Sequence, residues 1–259
     1  LDGSSPFTWR QGLKHDAAKV MVLDPISNSM FINGLGEQVE LEQDLLFPFV
    51  KGSALARTRV LQDSPKRVIM TQTKLGEDTT AIADSSPLLW DYLVSHGKIL
   101  DARKSSMYFG KPRFSIFGVG PYAFLPYKVG IASFYKVPAF TLVLPDHGKP
   151  TMLDDTSYFL GFEELMPAFF TWVALNLPQV QVFLQAIAFI DAKRPYTKDI
   201  LMRLDLDQLL SDVPYAIISE FYESSLKDVL DLHFTEGEWD HFRGTLESPT
   251  RCLKVKNQN

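Results

Sequence analysis

Between Asp101 and Asp146 the chain has no acidic residue. Those positions hold six cations (Arg103, Lys104, Lys111, Arg113, Lys128 and Lys136) and ten aromatic residues. This composition constrains folding in two ways. Aromatic and β-branched side chains suit a pleated, half-buried surface. Residues 114–117, 127–134 and 140–144 are therefore expected as strands, with glycines and prolines as punctuation. Cations without nearby carboxylates must face water or an anion. The same bias extends from Lys51 to Lys136, where 13 basic residues face six acidic ones. That balance of +7 leaves −12 for the remainder of a chain whose net charge is −5. The acidic average thus conceals a basic segment.

The rest of the chain reads as a mixture of elements. Asn33-Gly34 is a turn signal between two possible strands. Residues 38–41, 67–71 and 157–160 are expected as strands, and 45–50 is an apolar run broken by Pro48. Pro87 suits the first turn of a helix over 87–98. Helices are expected over 163–175 and 179–189, then a basic loop with a short element over 191–203. An acidic helix is expected over 213–232, and a frayed tail from Pro249. The fold class is therefore α+β: a mixed, mostly antiparallel β region over 46–160, followed by packed helices. The run from Leu165 to Leu177 is interrupted by Pro167 and falls short of the roughly 18–20 apolar residues of a membrane span. The single cysteine, Cys252, excludes an internal disulfide framework and suits a reducing cytoplasm.

Motifs for bond-making chemistry are weak. Gly118-Val119-Gly120 superficially resembles a nucleotide loop, but no acid follows until Asp146 and Pro121 stands where a helix should open. A β-turn or bulge accounts for it better. The five histidines are scattered without zinc-ligand spacing, and no nucleophile elbow occurs. Asp154-Asp155 and Glu163-Glu164 are paired carboxylates without a third ligand; caps or turns explain them. Asp191-Ala192-Lys193 resembles half of a metal-dependent nuclease site. There the acid would hold Mg²⁺ and Lys193 would stabilise phosphate charge, with Asp146 as a possible second acid. The acidic stretch from Asp205 to Asp240, in which Lys227 is the one basic residue, could serve protein interaction or simply be a solvated face.

The basic, aromatic-rich stretch says more. Duplex DNA is bound by cations that displace phosphate counterions, with hydroxyls and backbone N–H groups fixing register. Arg103-Lys104-Ser105-Ser106 offers two cations and two hydroxyls, and Lys111, Arg113 and Lys128 extend the set. Tyr108, Phe109 and Tyr122 could contact sugars or a displaced base. Packing inward is the alternative for the aromatics.

Four segments carry a family resemblance: Leu46-Phe47-Pro48-Phe49-Val50-Lys51-Gly52-Ser53, Leu100-Asp101-Ala102-Arg103-Lys104-Ser105-Ser106, Lys111 through Gly120, and Pro126-Tyr127-Lys128-Val129. Together they resemble the C-terminal target-recognition region of N6-adenine DNA methyltransferases from bacterial restriction–modification systems. The likeness spans roughly Trp9 to Leu206. It implies double-stranded DNA as partner, with Lys51, Ser53, Arg103, Lys104, Ser105, Ser106, Lys111, Arg113, Tyr122 and Lys128 as candidate contacts. It also implies S-adenosylmethionine as cofactor of the full-length enzyme, not of this chain. The family's catalytic Asn/Asp-Pro-Pro-aromatic tetrapeptide is absent, since none of the 16 prolines adjoins another. No catalytic residue or metal ligand is carried over. On this reading residues 1–45 are the trailing edge of a catalytic domain or an N-terminal extension. Residues 46–205 form the recognition part and 206–259 an acidic helical extension. The catalytic domain lies elsewhere, and the start at Leu1 reads as a cut.

Overall fold

The computed structural model describes residues 1–211 and 213–246; Cys252 and the tail expected from Pro249 lie outside the described residues. The strands, in chain order, are β1 (Arg10–Gln11), β2 (Val22–Pro25), β3 (Met30–Asn33), β4 (Gln38–Glu40), β5 (Leu46–Val50), β6 (Val60–Leu61), β7 (Lys66–Ile69), β8 (Tyr127–Ala132), β9 (Phe140–Val143), β10 (Met152–Leu153) and β11 (Ser157–Phe162). The helices are α1 (Ala18–Met21), α2 (Gly52–Leu55), α3 (Ile82–Ser85), α4 (Pro87–Ser95), α5 (Gly97–Asp101), α6 (Leu165–Leu175), α7 (Pro178–Ile187), α8 (Lys198–Met202), α9 (Leu206–Ser211), α10 (Tyr215–Ser225) and α11 (Glu236–Leu246). One sheet has the order β1-β11-β8-β9-β6 and the other β10-β5-β7-β2-β3-β4. Two short pairings, β10 with β5 and β6 with β9, are parallel; the other pairings in these sheets are antiparallel. The α+β expectation holds.

The aromatic strands are buried because helices cover them. β8 and β9 pack against α6, and α2 also packs on β8. The covering helix α6 is buried at every position from Ala168 to Leu175, as expected for a helix that is apolar all round. Pro167 costs it little, because a first-turn N–H has no intrahelical acceptor anyway. The Trp172 indole N–H donates to the Phe140 carbonyl at 2.8 Å, fixing α6 on β9. The helices after residue 205 close the far side: Ile218, Tyr222, Trp239, Phe242 and Leu246 share one core with Val129, Leu142 and Trp172. Residues 1–45 supply β1 to one sheet and β2–β4 to the other. A second core lies between the β2–β7 region and α4, with Leu89 and Leu93 buried against Val68 and Phe31. Among the described residues no helix is long and apolar enough to cross a membrane.

Pro48 sits inside β5, opposite Arg67 of β7. It is tolerated because β10 pairs only with Phe49 and Val50, so the strand is an edge at Pro48. Other expectations need correction. Residues 114–117 are not a strand. Phe114 has φ +64°, and side chains take the backbone groups a ladder would use. Thr71 donates its hydroxyl to the Phe114 carbonyl at 2.7 Å, and the Gln72 amide oxygen accepts from Ile116 N–H at 3.0 Å. The helix over 87–98 breaks at His96 into α4 and α5, and Gly97, which opens α5, has no room for a Cβ beside the Arg113 guanidinium. The helix over 213–232 is shorter, ending at Ser225, and α11 was not foreseen.

Candidate nucleic-acid interface

Residues 10–16 form a seam between the two sheets. Gln11 faces Tyr158 of β11, Leu13 N–H donates to the Leu153 carbonyl at 2.7 Å, and Lys14 exchanges both backbone bonds with Phe117 at 2.9 Å. The close approach requires glycine. A Cβ on Gly118, whose φ is +70°, would lie 2.3 Å from the Gly12 carbonyl oxygen. The backbone of Gly12 thus packs directly on Gly118, the first glycine of the Gly118-Val119-Gly120 run. The four residues that follow, Pro121–Phe124, are a 3-10 turn.

The Lys51-Gly52-Ser53 step packs on the same seam. Gly52 N–H donates to Asp154 Oδ1 at 3.0 Å and to Thr156 Oγ1 at 3.2 Å. A Cβ at Gly52 would sit 2.6 Å from that hydroxyl, so the glycine serves packing while Lys51 and Ser53 face solvent. Between these elements lies His15, 9% exposed. Burial pushes its imidazole down to about 4, against Asp16 and Asp155, while Arg103 and Lys51 reinforce the shift. His15 is therefore neutral at pH 7, and its Nδ1 accepts the Ala17 N–H at 3.2 Å. Lys51 and Arg103, far apart in sequence, thus both act on the same buried imidazole.

Arg103 is a correction to the sequence reading. Its Nε donates to the Leu100 carbonyl at 2.7 Å, and its Nη1 donates to Ser115 at 2.7 Å and His15 at 3.2 Å. The guanidinium lies 3.9 Å from the Tyr108 ring centroid. Burial lowers its pKa below the usual guanidinium range. Arg103 thus ties three backbone segments together rather than waiting for a phosphate. Tyr108 is held between Arg103 and Phe117, 5.2 Å away, and burial raises its phenol to about 12.

Lys128 is a second correction. It is 1% exposed, and its Nζ donates to the Leu125 carbonyl at 2.7 Å, with the Phe159 ring centroid 5.9 Å away. Burial pushes its ammonium down to about 7. Both faces of β8 are covered, so this lysine cannot reach a phosphate in this fold. Tyr122 is half-buried, with Arg10 stacked at 4.7 Å. It lines a groove of about 920 Å³ between β11 and α11, where burial raises its phenol. Arg113 is exposed but paired with Asp101 at 2.9 Å.

Several cations remain exposed without an ion pair among the described residues; they include Lys74 and Lys98 of the basic segment as well as Lys51, Arg57, Arg59, Lys104 and Lys111. Ser53 and Ser106 are exposed beside them and Ser105 is half-buried. Arg57 and Arg59 contribute to the charge balance in the sequence but were not singled out as contacts. Arg194 is a further addition: it donates to the Asp155 carbonyl at 2.9 Å, which Gln11 Nε2 also reaches at 2.8 Å. No local pattern marks this junction, because its members are about 40 and 140 residues apart.

The nuclease constellation does not assemble. Asp146 is 4% exposed and accepts from Ser64 N–H at 3.3 Å while pairing with Arg67 at 3.2 Å. Asp191 is 85% exposed and pairs with Lys136 at 3.5 Å. Lys193 lies over Phe134, 5.7 Å from its centroid. Among the described residues no group of three or more His, Cys, Asp or Glu side chains could hold a metal ion.

These residues offer exposed positive charge and hydroxyls, the groups that phosphate binding uses. Sequence comparison gives a class: the chain is similar to part of a type II methyltransferase. The relative in question is Type II methyltransferase M.NspV from a Nostoc species, 46% identical over 205 residues. The match covers 79% of this chain and 42% of that protein, so the chain spans less than half the relative's length. No family model matches. Among solved structures, the type IIL restriction–modification enzyme MmeI in complex with DNA superposes with a TM-score of 0.47 at 9% identity, over 97% of this chain and 34% of that one.

Proposed function

We propose that this chain is the DNA-binding, target-recognition portion of an N6-adenine DNA methyltransferase. It holds duplex DNA for a catalytic domain that lies elsewhere and uses S-adenosylmethionine in the bacterial cytoplasm. The observation that carries this reading is the 46% identity to a type II methyltransferase in a chain without two adjacent prolines. Similarity to the enzyme without its expected catalytic tetrapeptide points to the part that positions the substrate. The unpaired cations supply the means. Lys51, Arg57, Arg59, Lys104 and Lys111 contact phosphates, with Ser53, Ser105 and Ser106 fixing register. Arg103 acts as a brace beneath them, and Arg113 joins once its exposed pair with Asp101 yields, because such pairs are weak.

The test is duplex DNA affinity across a series of salt concentrations. Each phosphate contact removed should flatten the log–log salt dependence by about one unit. Charge reversal at Lys51, Lys104 and Lys111 together is expected to weaken binding and reduce the slope by roughly three units. A triple variant with unchanged affinity and slope refutes the assignment.

A further inference from the structure

We propose that Phe109 is an apolar finger that enters a groove of the DNA between Lys104 and Lys111, contributing affinity that does not depend on salt. The proposal rests on the DNA-binding reading above. Phe109 is 77% exposed, the most exposed large apolar side chain among the described residues. Leaving an aromatic side chain in water forfeits roughly 1.5–3 kcal/mol of burial, so its placement calls for an occupant.

The placement is built rather than incidental. Ser106–Tyr108 form a 3-10 turn, and Phe109 N–H donates to the Ser106 carbonyl at 3.1 Å. Gly110 follows with φ +68° and open space around its Cα. A left-handed residue here reverses the chain directly behind Phe109. Lys111 N–H then closes the loop on the Tyr108 carbonyl at 3.3 Å. The two neighbouring rings point opposite ways. Tyr108 goes inward, between Arg103 and Phe117, and Phe109 goes outward. Because Arg103 ties the loop base to residues 15, 100 and 115, the finger is presented without a large ordering cost on binding.

Charge selects the occupant. Lys104 and Lys111 bracket Phe109 in the sequence, both exposed and, among the described residues, without an ion pair. The nearest acid in sequence, Asp101, is engaged with Arg113 at 2.9 Å. A surface with an apolar tip between two free cations fits a DNA groove, where sugars and base edges lie between two rows of phosphates.

The experiment measures binding of the full chain to a fluorescent duplex over a salt series. Phe109→Ala is expected to weaken affinity about tenfold at every salt concentration, with the slope unchanged. Phe109→Trp is expected to retain affinity, and neither variant should lower the melting temperature appreciably. Lys104→Gln with Lys111→Gln should instead flatten the slope by about two units. If that pair acts and Phe109→Ala binds like wild type, the finger is refuted and the DNA reading stands. A Phe109→Ala loss confined to low salt, with a flattened slope, also refutes the finger. If neither variant changes affinity or slope, the finger is refuted together with the phosphate contacts of Lys104 and Lys111.

Discussion

Replacing Lys128 by methionine separates the two roles a lysine in this basic stretch could have. The side chain is 1% exposed, no carboxylate lies in its shell, and its polar contact is the Leu125 carbonyl. Its pKa falls from 10.5 in the unfolded chain to about 7 in the fold. Between those two values the unfolded chain binds a proton that the folded protein does not. Stability therefore rises with pH across that window, and the penalty is complete below pH 7. At pH 7 the difference amounts to about 4 kcal/mol, taken as an upper bound at 1.36 kcal/mol per pH unit. Methionine fills a similar volume and removes the penalty, but it leaves the Leu125 carbonyl without its donor, at a cost of about 1–3 kcal/mol. Lys128→Met should therefore stabilise the protein by roughly 1–3 kcal/mol at pH 7, and the gain should shrink and then reverse as pH approaches 10.5. Urea unfolding at pH 7 and at pH 9.5 reads this directly. A variant less stable than wild type at pH 7, with no pH-dependent difference, refutes the reasoning from unpaired burial. The salt dependence of DNA binding supplies a second reading. It should not change, and a slope flattened by about one unit would put Lys128 on a phosphate after all.

Two further outcomes follow from the packing. Arg103→Lys should destabilise by about 2–4 kcal/mol, because an ammonium cannot serve three separated carbonyls and stack on Tyr108; thermal unfolding checks it, and a neutral result would return Arg103 to the DNA surface. Trp239→Ala should cost about 3–5 kcal/mol and lower a single, cooperative unfolding transition, because α11 shares its core with β8, β9 and α6; a separate early transition would show that the C-terminal helices fold apart.

Strands β8, β9 and β11 were legible because aromatic and β-branched residues coincided with breakers at their ends. The same signal misled at 114–117, where partners far along the chain (Thr71, Gln72 and Arg103) hold an irregular backbone. Helix α11 left a fainter mark. Trp239, Phe242 and Leu246 share one helical face, but polar neighbours dilute the pattern. For the interface, the absence of acids pointed to Lys104 and Lys111, which are exposed and join no ion pair among the described residues, while Lys51 entered through the Lys-Gly-Ser step. That absence could not separate them from Lys128, because a lone lysine on a strand covered on both faces looks like a solvated position. Arg103 was misread for a related reason: nothing local announces that its acceptors lie at residues 15, 100 and 115.

The seam over residues 10–16 sets an order on the protein's synthesis. β1 has no partner until Ser157–Phe162 exist, and Leu13 and Gly12 wait for Leu153 and Ser157 to accept their N–H groups. Residues 10–13 are made before β11 yet are fixed only once it exists, and contacts so distant in sequence close slowly. Lys51 depends on the same late event, since Gly52 docks on Asp154 and Thr156. A nascent chain that has not yet made β11 carries the cations but not the surface that spaces them, so under the proposed DNA-binding role organised contact with phosphates waits for that strand.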